Sequence, residues 1–287
     1  MTLPLSSGDP ARSEAPQPFF FPGSAGPLFC LLQAPPEGTA PRGALLYLPP
    51  FAEEANRSRR MAVLQARRLA ARGWAVLLLD PYGTGDSSGG FHEARWEIWQ
   101  ADVEAAAAWL TTRWPGIAVS LWGLRLGALL AAEVAGRHPA RFARLLLWQP
   151  VLRGDQFMSQ FLRLRIAAAM AAGEKESGEA LRGRLAAGET LEVAGYELAP
   201  PLVAAIESRR FDTLLPALSD CRIDWLEVTS AEGEPAPAPA SQRLLEALPD
   251  DTAGRVNCRA VAGAPFWTIQ EITLAPALLD ATDARFE

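Results

Sequence analysis

The stretch that decides the fold is Ser120-Leu121-Trp122-Gly123-Leu124-Arg125-Leu126-Gly127-Ala128-Leu129-Leu130. It begins in a short apolar segment that reads as a buried strand and passes into Leu126 to Arg137, where apolar residues recur at helical spacing. Gly123 and Gly127 flank the junction, with Arg125 midway between them. A residue without a Cβ lets one backbone approach another closely, so the pair marks a sharp strand-to-helix turn.

The same rhythm extends outward in both directions. Ala44 to Leu48 is an apolar run, Ser58 to Arg72 carries Met61, Leu64 and Leu69 at helical spacing, and Ala75 to Leu79 is a second apolar run ending at Asp80. A helix over about 95–112, a strand over 117–122, the helix from Leu126 and a strand over 144–148 follow. Apolar strands separated by amphipathic helices predict an α/β fold, with a mainly parallel central sheet and helices on both faces. Upstream, residues 1–17 read as a flexible Pro-rich terminus, followed by early strands at Phe19 to Phe21 and Leu28 to Leu32.

After the sixth strand the rhythm breaks. Residues 151–208 hold a helix near 156–172, a polar Gly/Glu stretch and an extended segment near 189–198, and they are expected to form a lid. The core is therefore 18–150 and 209–287. Its second part reads as a strand over 221–228, a helix near 241–248, a strand over 255–262 and a helix near 270–279.

Bulk properties exclude several function classes. The chain has 287 residues, 49% hydrophobic and 21% charged, with a net charge of −6, so it can bury a large core and lacks the positive field that nucleic acid requires. Cys30, Cys221 and Cys258 are widely spaced and only two histidines are present, so free thiols are expected, with no metal or other cofactor. Neither a signal peptide nor a membrane-spanning run is recognised, and a cytoplasmic location is expected.

The junction at Arg125 resembles the nucleophile elbow of α/β-hydrolases, where the pattern is G-x-S-x-G. Asp80-Pro81-Tyr82-Gly83-Thr84-Gly85-Asp86-Ser87-Ser88-Gly89 resembles the loop after the preceding strand in that fold. Leu48-Pro49-Pro50-Phe51-Ala52 stands where an oxyanion-hole loop belongs. An arginine at the elbow is protonated and is no nucleophile. The segment Val261 to Trp267 has Pro265 and Phe266 where a catalytic histidine would follow the last strand, and Glu232 or Glu234 stands nearest the position of the triad acid. His138 closes the helix after the elbow, far from the site. His92, beside Ser87 and Ser88, is the catalytic alternative; serines in such loops more often make turn hydrogen bonds.

Together with the Gly123-to-Gly127 elbow, Pro49 to Met61, Trp148-Gln149-Pro150-Val151-Leu152, Pro265-Phe266-Trp267 and Gln270-Glu271 resemble the exosortase A system-associated hydrolase 2 family. The resemblance covers roughly residues 18 to 282. It implies that the elbow arginine is a family feature. It also implies a bacterial locus combining exopolysaccharide synthesis with PEP-CTERM sorting, with a second α/β-hydrolase-like protein as neighbour and candidate partner.

Chemically, Arg125 and the helix N-terminus at Leu126, with a backbone donor near Phe51, form a candidate anion receptor. The leading expectation is a non-triad protein that binds an anionic or acyl-bearing small ligand. The alternatives are an ester or thioester hydrolase or acyl transferase using His92 with Ser87 or Ser88, and a scaffold for the neighbouring protein. Glu53, Glu54 or Glu271 is expected to neutralise Arg125 if no ligand does, because an unpaired buried charge is costly. Trp96, Trp99, Phe266 and Trp267 are candidates for an apolar cleft wall.

Overall fold

The computed structural model describes residues 15–287 apart from Ser219, Glu232 and the side chain of Asp251. Eight strands form one sheet: β1 (Gln17–Pro22), β2 (Pro27–Gln33), β3 (Ala44–Leu48), β4 (Ala75–Leu79), β5 (Val119–Leu124), β6 (Phe142–Trp148), β9 (Arg222–Thr229) and β10 (Val256–Ala262). The small pair β7 (Leu191–Val193) and β8 (Tyr196–Leu198) stands apart. The order is β1-β2-β4-β3-β5-β6-β9-β10. β2 runs antiparallel to both β1 and β4, and β4, β3, β5, β6, β9 and β10 are mutually parallel. This is the α/β-hydrolase fold.

Parallel strands need crossovers, and α1 (Glu53–Ala71), α2 (Trp96–Arg113) and α3 (Leu126–Arg137) supply them. Alternation along β3 divides the core in two. Ala44, Leu46 and Leu48 face the layer of α2 and α3, whereas Leu45 and Tyr47 face α1 and the C-terminal helix.

Between β6 and β9 lie α4 (Gly154–Ala171), α5 (Gly178–Ala186), the β7–β8 hairpin, α6 (Pro200–Glu207) and the single turn α7 (Phe211–Leu214). The neck of this insertion is pinned by a bridge between Arg153 and Arg210. Gly154 is required there, because a Cβ would fall 1.7 Å from the Ile206 carbonyl oxygen. The chain closes with α8 (Pro239–Glu246), the turn α9 (Asp250–Ala253), β10 and α10 (Pro276–Asp283).

Three expectations are corrected. Gln17 already pairs with Leu32 in β1, and residues 1–14 of the expected flexible terminus lie outside the described residues. Helix α1 starts at Glu53, before Ser58. The last helix starts at Pro276 instead of near Gln270, since proline fits a helix's first turn and breaks its interior.

Candidate functional site

The elbow has its expected geometry with an unexpected occupant. Arg125 caps α3 with φ 55° and ψ −117°, a region disfavoured for any residue with a Cβ. The backbone is held there on both sides. Arg125 N–H donates to the Trp148 carbonyl at 2.9 Å, and its own carbonyl accepts from Ala128 and Val151. The glycines permit the approach, for a Cβ on Gly123 would fall 2.4 Å from Ala128 Cα and one on Gly127 2.3 Å from the Leu48 oxygen. Ala52, capping α1, adopts nearly the same strained conformation, φ 52° and ψ −125°. Two helix N-termini therefore meet at the carboxyl edge of β3 and β5. Neither Phe51 nor Leu126 donates its backbone N–H to another described backbone group.

The guanidinium of Arg125 is spoken for. Its Nε donates to Glu54 Oε1 at 3.3 Å, with side chains only 18% and 15% exposed respectively. The guanidinium also lies 5.5 Å from the Trp267 ring centroid and 5.8 Å from that of Phe157. Burial raises the Glu54 carboxyl above its ordinary pKa, while Arg125 and then Arg57 pull it back. Its Oε2 is buried without a hydrogen-bond partner. Of the other acids considered for Arg125, Glu53 lies 3.5 Å from Arg57 and Glu271 is exposed. The counter-ion is internal.

Beside the elbow lies a cleft of about 50 Å³, room for a few water molecules. Its deep wall is apolar, with Phe51, Trp96, Trp99, Leu126 and Leu130, and its mouth carries Asn56, Arg59, Asp80, Thr84 and Tyr196. Phe51 is the hub. Its ring packs edge-on against Phe91, Trp99, Phe157 and Phe161 at centroid distances of 5.1 to 6.2 Å, so the insertion and the core meet over it. Trp96 and Trp99 line this cleft. Phe266 and Trp267 do not. They pack in the layer of α1 and α10, where Phe266 meets Trp148, and Trp267 touches the site only through Arg125.

The structure does not assemble the alternative His92 centre. His92 Nδ1 lies 3.0 Å from Glu197 of β8, and both side chains are more than half exposed. The Ser87 hydroxyl donates to the Asp80 carbonyl and accepts from Phe29 N–H. The Ser88 hydroxyl donates to the Pro27 carbonyl. His138 pairs with Glu104 at 2.8 Å. Glu234 borders a separate cleft beside β10, and Glu232 lies outside the described residues.

Cys30 and Cys221 are buried thiols and Cys258 is partly exposed. Among the described residues no three His, Cys, Asp or Glu side chains cluster as metal ligands, and no helix is long and apolar enough to cross a membrane. Sequence reasoning missed Arg59, Asn56 and Tyr196 at the mouth, although Asp80 and Thr84 lie in the glycine-rich loop it singled out.

A mainly parallel sheet with an antiparallel second strand and a strained elbow between β5 and α3 define an α/β-hydrolase-fold protein. Residues 39–220 match the family described as "Serine aminopeptidase, S33". The chain belongs to that family. No curated protein matches it by sequence.

Solved structures show the same fold at low identity. Est1E from Butyrivibrio proteoclasticus with bound ferulic acid is 16% identical with a TM-score of 0.65, over 93% of this chain and 96% of that one. The α/β hydrolase GrgF from Penicillium sp. sh18 is 16% identical with a TM-score of 0.62, over 95% and 98%. A soluble variant of monoglyceride lipase from Saccharomyces cerevisiae, in complex with a substrate analogue, is 13% identical with a TM-score of 0.62, over 96% and 94%.

Proposed function

We propose that this chain binds an acyl-bearing small ligand in the cleft beneath residues 151–208, acting as a lid, without turning it over by a Ser-His-Asp mechanism. The observation that carries the reading is the elbow itself, where Arg125 stands in the nucleophile's backbone conformation and is held by Glu54. Both histidines are paired elsewhere, so no described imidazole is in position to take a proton at the elbow. The anionic version of the ligand loses its driving force, because Glu54 already neutralises the arginine. The apolar wall of Phe51, Trp96 and Trp99 favours a chain or a ring, and the similar Est1E structure holds ferulic acid. Resemblance to the exosortase A-associated family supports an accessory role in bacterial surface polysaccharide assembly.

Two measurements on the full chain test this. Medium-chain acyl compounds should raise the melting temperature, as any ligand selective for the native state does, while p-nitrophenyl esters and acyl thioesters are not turned over. Arg125→Ser should gain no proficient activity, since general-base assistance worth about 10² to 10⁴-fold is still missing. Robust wild-type turnover that disappears in His92→Ala would overturn the reading in favour of the glycine-rich loop.

A further inference from the structure

We infer that the mouth of the cleft is built for a neutral, hydroxylated head group, so that the ligand is an acyl or aromatic chain joined to a polyol. This rests on the acyl-binding reading and adds the chemistry of the other end.

The polar groups at the mouth are arranged as one donor edge beside one acceptor edge. Arg59 Nη2 donates to both Asp80 carboxylate oxygens at 3.0 Å. Its Nε and Nη1 have no partner among the described residues. Asp80 is further fixed by the Asp86 N–H, which reaches Oδ2 at 3.1 Å, and Oδ1 keeps acceptor capacity beyond Arg59. Thr84 spends its hydroxyl proton on the Pro81 carbonyl at 2.7 Å, so it faces the cleft as an acceptor. Asn56 donates to the Tyr196 hydroxyl at 3.1 Å and keeps its carbonyl oxygen.

These groups sum to no net charge, and that decides the ligand class. A carboxylate or phosphate drawn to Arg59 meets Asp80 within the same contact distance, and an ammonium drawn to Asp80 meets Arg59. A hydroxyl both donates and accepts, so two neighbouring hydroxyls satisfy the guanidinium and the carboxylate together. Only the mouth offers such pairing, because the deep wall is apolar. Such a head group orients the chain inward, past Phe51 toward Leu130. The cleft as it stands holds only a few waters, so entry displaces the hairpin at Tyr196.

The test uses the full chain and four octyl compounds below their micelle concentrations: octyl glucoside, octanol, octanoate and octylammonium. Calorimetric titration should show octyl glucoside binding about tenfold more tightly than the other three, the gain expected of two net hydrogen bonds. Arg59→Gln and, separately, Thr84→Val should each reduce that preference for the glucoside over octanol. Octanol binding as tightly as the glucoside, octanoate or octylammonium binding more tightly, or a preference untouched by both substitutions would overturn the head-group inference alone. Failure of all four to bind would overturn the acyl reading with it.

Discussion

Arg125 keeps the backbone of a nucleophile without the side chain of one. Holding a residue with a Cβ at φ 55° costs on the order of 1–3 kcal/mol, and hydrolases accept such strain to expose a hydroxyl. Here the strained turn aims a guanidinium at Glu54 across the top of the sheet. Breaking a buried pair by removing one partner strands the other, so Arg125→Ala should lower unfolding free energy by about 3 kcal/mol in urea titrations. Adding Glu54→Gln to that variant should recover part of the loss, because the two changes share one interaction. Strictly additive effects would mean that the pair is not coupled.

At the scale of elements, the loop after β4 is anchored by a buried acid on α2. Asp102 accepts the Tyr82 N–H at 2.9 Å, while its other oxygen has no partner. Burial, only partly offset by that bond, pushes its pKa up to about 6 from an ordinary 3.8. With the folded value above the unfolded one, its stabilising contribution is complete below pH 3.8 and is lost as pH rises through about 6. The melting temperature of Asp102→Asn relative to wild type should therefore climb between pH 4 and pH 7, the window those two values set. A flat difference across that range would contradict the assignment.

Much of the frame around this anchor was legible in the sequence. Helix α3 matches its expected bounds, Leu126 to Arg137, because its apolar spacing is clear and His138-Pro139 ends it. The start of α1 was hidden because Glu53, Glu54, Asn56 and Arg57 are polar and give no apolar spacing, though two acids in a first turn are themselves a start signal. The elbow pattern revealed Arg125, but three glutamates were equally plausible partners until the backbone fixed which one faced it. Phe266 and Trp267 were read onto the wrong side of the sheet. Hydrophobicity gives burial, and the face depends on the pleat at the end of β10. The cleft mouth was illegible because Asn56, Asp80 and Tyr196 are brought together only by tertiary packing, and short α5 and α6 draw their stability from the same source.

For the whole molecule, the insertion divides the sequence without dividing the sheet. β6 and β9 pair in parallel from Arg144 with Arg222 to Trp148 with Leu226, across everything between them. The sole lysine, Lys175, lies in an exposed, non-helical segment between α4 and α5, the kind of site where proteases nick native proteins. A lysine-specific protease should therefore cut the native chain once, into residues 1–175 and 176–287. The pieces should remain together. They share the β6–β9 ladder, the bridge at the neck and the Arg165 to Glu176 ion pair at 2.7 Å, whose partners flank the cut. Nicked protein should elute from a sizing column at the volume of intact chain and unfold in a single transition, displaced downward because the broken chain no longer limits the entropy of the unfolded state. Separation of the fragments without denaturant would show that the insertion, and not the sheet, holds the two halves in register.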